Sequence, residues 1–418
     1  MNNTYKENRK KLFERMSDNS MLILFSGQEP HRTLDQFYKY TPNRNFYFLT
    51  GLNEPKCKLL MIKSKDKTFE YLFIEETTEY MRQWVGEAIS KEEVTKISKV
   101  DKVLYLSEFE NTIRSLMTYG RGLGVKPPKK LYLDLYRVTP TTKPIALTYA
   151  DFIIENFKEL KIKNANEHIS YLRMFKSPFE VAEISKAIEY TKAGLERLMS
   201  ALKFRTNEQQ LEADFLHEIS LLGSEGNSFD TIAANGGNAT VLHYINNNDE
   251  LKQGNMVLLD LGALHNNYAA DITRTYPING KYTDRQKQIY DIVLKVNKES
   301  INFIKPGISW SELNKFAKDL LIKETKAIGL IKEDAEINKY YYHSIGHFLG
   351  LDVHDVGQYD LVLEEGMVLT IEPGLYIKEE GIGVRIEDDI LVTKDGHLNL
   401  SQDIIKETKD IEEFMKRA

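Results

Sequence analysis

Four acids in this chain stand where acids are costly. Asp260 lies in Met256-Val257-Leu258-Leu259-Asp260-Leu261-Gly262 and Asp271 in Tyr268-Ala269-Ala270-Asp271-Ile272-Thr273-Arg274. Glu372 ends Val368-Leu369-Thr370-Ile371-Glu372, and Glu387 ends Ile382-Gly383-Val384-Arg385-Ile386-Glu387. Such runs read as strands in or beside a core, where an uncompensated charge costs several kcal/mol. Each pair is separated by an odd number of residues, and directly opposed residues of a hairpin with a two-residue turn are an odd number apart. A turn centred between His265 and Asn266 sets Asp260 against Asp271, and one centred between Glu379 and Glu380 sets Glu372 against Glu387. Side chains alternate along a strand, so Arg385 and Asp389 share the face of Glu387. Like charges opposed at strand spacing repel, and two divalent cations would balance the four carboxylates. His347, in His343-Ser344-Ile345-Gly346-His347, is the leading nitrogen donor, with His354 shortly after it. Carboxylate-rich ligation with a single imidazole favours Mn²⁺ or a similar first-row ion over a structural zinc. Any one of these residues alone reads as a solvated acid or a packing histidine; the placement of every acid in an apolar run argues against that for the set.

The elements that must position them fall into two parts. At 418 residues the chain exceeds what one hydrophobic core usually supports, so two domains are expected. The first, residues 1–165, reads as a smaller α/β domain. A helix over Tyr5–Met16 precedes strands at Met21–Gly27, Asn45–Gly51, Lys58–Ser64, Glu70–Glu75, Lys102–Leu106 and Lys130–Leu135, with helices at Lys91–Lys99, Glu108–Met117 and Ala146–Phe157. The polar stretch Lys161–Glu167 reads as a linker. The second domain, 172–418, opens on Ser177-Pro178-Phe179-Glu180, a capping box with proline at the first helical position. Further helix starts follow at Thr206-Asn207-Glu208-Gln209, Thr283-Asp284-Arg285-Gln286 and Ser309-Trp310-Ser311-Glu312. Strand-like runs come after each helix pair, at Phe229–Asn235, Met256–Gly262 and Tyr268–Thr275, and again from Met367 onward. Two helices then strands, twice over, predict an α+β fold with pseudo-duplicated helix pairs and antiparallel strands around one central site.

Composition removes several function classes. A net charge of −6 and no long single-sign run argue against a nucleic-acid partner. Cys57 is the only cysteine, which excludes an intrachain disulfide and a thiolate metal cluster. The N-terminus is too polar for a secretory signal and the apolar run Met21–Phe25 too short to cross a bilayer, so a cytoplasmic protein with no membrane partner is expected.

Beside this reading stands a resemblance. Val241-Leu242-His243-Tyr244, LLDLG with Asp260, YAADITRTYPING with Asp271, HSIGHFLGLDVHDVG, TIEPGLYI with Glu372 and GIGVRIEDDI with Glu387 resemble the motifs of the pita-bread metallopeptidases, in their aminopeptidase P and prolidase branch. ILFSGQEPHRTLDQFYKYTPNRNFYFLTG resembles the N-terminal domain of that branch. The resemblance implies a pita-bread catalytic domain and five ligands for two divalent ions, most readily Mn²⁺ with Co²⁺, Fe²⁺ or Zn²⁺ as alternatives. Asp271 and Glu387 would bridge the ions, Asp260 would serve one, and His347 and Glu372 the other. It implies hydrolysis by a bridging hydroxide of the bond before a prolyl nitrogen, with Glu372 relaying a proton. His354 would donate to the carbonyl oxygen, His243 would contact the residue after the scissile bond, His343 would shape the pocket and Arg385 would orient Asp260. The implied substrate is a peptide with an Xaa-Pro N-terminus, and the implied assembly a homo-oligomer, with Trp84 in a segment that could reach a neighbour. The short connection from Glu372 to Glu387 resembles aminopeptidase P, whereas Gly346 is common among prolidases, so an Xaa-Pro dipeptidase is the alternative. A metal-free pita-bread binding module and a creatinase-like C–N hydrolase are further alternatives, against which all five ligand positions speak.

Overall fold

The computed structural model describes residues 3–118 and 124–417, so the outermost residues of both expected domain spans lie outside it. The chain divides into two compact units, Met1–Arg173 and Met174–Ala418.

The first unit is built on a six-stranded sheet. Its strand order is Lys102–Tyr105, Lys67–Ile74, Lys58–Ser64, Ser20–Phe25, Lys130–Leu133 and Lys161–Asn164. The three strands Ser20–Phe25, Lys58–Ser64 and Lys67–Ile74 pair antiparallel and the remaining pairings are parallel. Helices Phe109–Met117 and Ile145–Asn156 pack on it through Ile113, Leu116, Ala150 and Ile153. Two expectations change here. Residues Asn45–Gly51, read as a strand, belong to a helix, Arg44–Thr50. Asn43 caps it by accepting from the Phe46 amide, Gly51 closes it in the left-handed region, and Asn45 to Thr50 are all buried. A helix buried all round has no apolar stripe, so only its caps distinguish it from a buried strand. The stretch read as a linker is the edge strand Lys161–Asn164 followed by helix Asn166–Arg173. Its polarity is that of an exposed sheet edge, which lysines protect from further pairing.

The second unit repeats one pattern. Helices α1 (Pro178–Ala201) and α2 (Glu208–Leu221) precede strands β1 (Ile232–Asn235), β2 (Met256–Leu261) and β3 (Ile272–Pro277). Helices α3 (Asp284–Phe303) and α4 (Trp310–Ala327) precede β4 (Val368–Ile371), β5 (Gly374–Ile377), β6 (Ile382–Arg385), β7 (Asp388–Thr393) and β8 (Gly396–Asn399). The capping boxes at Ser177, Thr283 and Ser309 form as expected, with Pro178 in the first turn of α1. At α2 the cap moves to Asn207, which accepts from the Gln210 amide. The strands are antiparallel, in sheets of order β3-β2-β1 and β4-β7-β8 with the hairpin β5-β6.

Candidate metal centre

Each strand region supplies two of the four acids, and hairpin register decides where they point. Asp260 pairs with Thr273 rather than Asp271. The turn falls between His265 and Tyr268, where Asn266 and Asn267 take φ values of 47° and 64°. A two-residue turn of this kind needs positive φ at both central residues, and asparagine accepts it at little cost. The Asn-Asn pair thus moves the turn by one residue, and Asp271 becomes a diagonal neighbour of Asp260 on the same face. The second hairpin keeps the expected register. Ile371 pairs with Asp388 and Gly374 with Arg385, which sets Glu372 opposite Glu387.

Across that pair the strands stay joined, the Ile386 amide donating to Pro373 O at 3.3 Å, and the acids' own amides point outward. The Glu372 amide donates to Ile345 O at 2.8 Å and the Glu387 amide to Thr273 O at 3.1 Å. The second bond docks the Glu387 strand onto β3 and brings the acids of both halves to one place. His347 arrives on an irregular segment laid along β4, with its amide on Thr370 Oγ1 and its carbonyl accepting from the Thr370 amide. The approach is close: a Cβ at Gly346 would stand 1.9 Å from Thr370 O. Gly346 therefore answers to packing, and its presence gives no information on substrate length.

Asp271, His347 and Glu387 present ligand atoms that all lie within 4.8 Å of one another. His347 Nε2 is 3.3 Å from Asp271 Oδ2 and 3.7 Å from Glu372 Oε1. The His347 Nδ1–H donates to Phe348 O at 3.0 Å, which leaves Nε2 to face the acids. Asp260 stands beside the trio, held by an Arg385 guanidinium N–H on Oδ2, while its buried Oδ1 has no hydrogen-bond partner among the described residues. Arg385 also donates to Thr273 Oγ1 at 3.0 Å and to the Tyr376 hydroxyl at 3.2 Å. The Thr273 hydroxyl donates to Glu387 Oε2 at 2.6 Å. Thr273 was not singled out by the sequence, although strand alternation from Asp271 puts it on the same face. His343 sits on the far side of Glu372, its Nδ1 3.9 Å from Oε2 and its Nε2 2.8 Å from the Tyr376 hydroxyl. The His354 ring is 4.3 Å from that of His347, and both His354 and His243 are exposed. Asp389 is fully buried and accepts from the Asp271 amide, as its shared face with Glu387 requires.

The electrostatics state the same problem as the sequence. Burial, with Asp260 adding and His347 opposing, pushes Asp271 up to about 6. Burial also pushes Glu372 up to about 7, with Asp271 and Asp260 outweighed in part by His347 and Arg385. Glu387 is raised well above the carboxylate range by burial and by Asp271 and Glu372. Burial works against a charged His347, yet contact with Asp271 and Glu372 carries it up to about 9. Burial and Arg385 lower His343 to about 4, so its ring is neutral and accepts from Tyr376. A cluster that would rather hold protons than charge is one that divalent cations suit: hard oxygen donors, one imidazole and an unpaired carboxylate oxygen match their preferences.

The chain is similar to known proteins over nearly its whole length. Residues 182–394 match metallopeptidase family M24, and residues 5–123 match the aminopeptidase P N-terminal domain. The Xaa-Pro aminopeptidase of Escherichia coli is 32% identical, with 99% of this chain and 98% of that protein covered. The Haemophilus influenzae Xaa-Pro aminopeptidase is 33% identical, with 98% and 96% covered. Among solved structures, a Bacillus anthracis chain provisionally assigned as an aminopeptidase P superposes with a TM-score of 0.94 at 47% identity, covering 99% of this chain and 98% of that one. Escherichia coli aminopeptidase P with the inhibitor Pro-Leu superposes with a TM-score of 0.89 at 31% identity, with the same coverage.

Proposed function

The chain belongs to metallopeptidase family M24, in its aminopeptidase P branch, and we infer from this and from the site that it is an Xaa-Pro aminopeptidase. It releases the first residue from peptides whose second residue is proline, and it is a metal-dependent hydrolase. The observation that carries the reading is the convergence of buried Asp271, His347 and Glu387 within 4.8 Å, fed by both strand regions of a chain that matches the family over its full length.

We assign Asp260, Asp271, His347, Glu372 and Glu387 as the ligands of two divalent ions, with Mn²⁺ the native metal on the strength of the carboxylate-rich donor set. When bound, such ions supply a Lewis acid for the scissile carbonyl and a water that ionises near neutral pH. The protein's own groups do the rest. Glu372 is the group we assign to take a proton from the attacking water and pass it to the leaving nitrogen. That nitrogen is prolyl and carries no hydrogen in the peptide bond, so recognition rests on ring shape and carbonyl oxygens. His354, whose ring lies 4.3 Å from that of His347, would donate to the carbonyl oxygen, and His243 would contact the residue after the scissile bond. His343 and Arg385 act through Tyr376 and Asp260, which they hold by hydrogen bonds.

We further propose a cytoplasmic homo-oligomer. Among the described residues no helix is long and apolar enough to cross a membrane, and helix Glu79–Val85 exposes Tyr80, Trp84 and Val85 in a patch suited to association. Light scattering on the purified protein should give a multiple of the chain mass; a monomer at micromolar concentration refutes the oligomer. The activity is tested by offering Xaa-Pro-Yaa, Xaa-Ala-Yaa and Xaa-Pro side by side with Mn²⁺. Release of Xaa from the first alone is expected; preference for the dipeptide would make the enzyme a prolidase instead.

A further inference from the structure

The back of the metal centre is as heavily built as its front. The amides of Glu372 and Glu387 turn outward to Ile345 and Thr273, while the carbonyls just before them, on Ile371 and Ile386, flank the gap where Pro373, accepting from the Ile386 amide at 3.3 Å, has no N–H to give in return. A single side chain serves both. Asn297, fully buried on α3, donates from Nδ2 to Ile371 O at 3.1 Å and to Ile386 O at 3.2 Å. Its Oδ1 accepts from Lys406 Nζ at 2.9 Å, which settles the orientation of the amide.

Lys406 continues the structure. Its Nζ donates to Asp388 Oδ2 at 2.6 Å, and Asp388, next to Glu387 but on the opposite strand face, accepts from Arg274 and Ser401 at 2.9 Å each. Arg274 donates to Glu387 O at 2.6 Å and to Thr273 O at 2.9 Å, and it reaches Ile404 O and Ile405 O at 3.2 Å. The segment 401–406, beyond the last family motif, is thereby tied to the strands that carry the acids.

We propose that Asn297 and Lys406 are positioning residues of the metal centre: they tie the two strands together across the gap that Pro373 leaves in the ladder, so that Glu372 and Glu387 stay opposed on one face toward the ions. This rests on the assignment of those two glutamates as ligands. Neither residue touches a substrate or an ion. They act through the backbone, as the outer partners of metal ligands do, and loss of such a partner typically weakens metal binding roughly 10–100-fold.

The test compares wild type with Asn297→Leu, which keeps the branching of the side chain and removes both donors, and with Lys406→Met. Mn²⁺ affinity is measured by chelator competition and the absorption spectrum of the Co²⁺-substituted protein is recorded. Melting of the metal-free protein is followed beside Leu211→Ala, a control at a buried position of α2. Affinity weaker by roughly 10–100-fold and altered Co²⁺ bands are expected in both variants, with wild-type affinity in the control even at equal loss of melting temperature. Wild-type affinity and spectrum in Asn297→Leu overturn the proposal, whether or not Lys406→Met folds. Failure of the wild type itself to bind Mn²⁺ would instead remove the ligand assignment, and this inference with it.

Discussion

Asp271 and Glu387 are the acids that no neighbour can replace. Each is buried, each contributes to the tight trio with His347, and each is tied to a strand of the other half, Asp271 through Asp389 and Glu387 through Thr273. Asp271→Ala or Glu387→Ala should leave the fold intact by circular dichroism, abolish high-affinity Mn²⁺ binding and reduce turnover to background; near-normal rates in either would contradict the ligand assignment. The titration of the same cluster gives a second prediction. Asp271 and Glu372 rise from 3.8 and 4.5 to about 6 and about 7, mainly through burial. A raised carboxyl stabilises the metal-free fold fully below its unfolded value, and that contribution is lost as pH rises through its folded value. Cations must displace those protons, and that of His347 as well, so affinity rises with pH. The gap in melting temperature between Mn²⁺-loaded and metal-free protein should therefore widen from pH 5.5 to 7.5. His343, lowered to about 4, has the opposite sign but is common to both forms and cancels in the difference. Calorimetric titration in buffers of different ionisation enthalpy should show net proton release; none at pH 6 would contradict the assigned shifts.

At the scale of elements, the acids depend on strands held from both sides. Asp388 compensates Arg274 and Lys406 in a buried ion network, and burial would raise its carboxyl were those cations not holding it well below the usual range. Asp388→Ala leaves two cations uncompensated and should cost about 3–5 kcal/mol by urea unfolding; a loss under 1 kcal/mol would show that the cations find other partners. Gly346→Ala should displace the His347 segment from β4, because the added methyl meets a backbone carbonyl, and Mn²⁺ affinity should fall with it. These elements show what sequence carries. Capping boxes at Ser177, Thr283 and Ser309 are local chemistry, and the duplicated helix pairs were legible from them. The register of the Glu372–Glu387 hairpin followed from parity and a glycine at the turn, whereas the Asp260–Asp271 hairpin moved by one residue because Asn266-Asn267 is the better turn. The dipeptide in His265-Asn266-Asn267-Tyr268 was a readable signal that parity alone overlooked. Asn297 and Lys406 could not have been found, since their role exists only where distant backbone carbonyls meet.

For the whole molecule, two compact units share one chain, and the five proposed ligands all fall in the second. Ligand that binds only the folded state stabilises it by about 2.7 kcal/mol at a hundredfold excess over Kd. Mn²⁺ should thus raise the melting temperature of this protein in a saturable way, and EDTA should reverse it. The central claim, that acids from both strand regions form one two-metal hydrolytic site, is tested most directly by titrating metal-free protein with Mn²⁺ while following bound metal and release of Xaa from an Xaa-Pro-Yaa peptide together. The account predicts two ions per chain, no turnover in the stripped protein and activity that rises with occupancy. Undiminished hydrolysis after stripping, or saturation with no bound Mn²⁺, Co²⁺, Fe²⁺ or Zn²⁺, would contradict it.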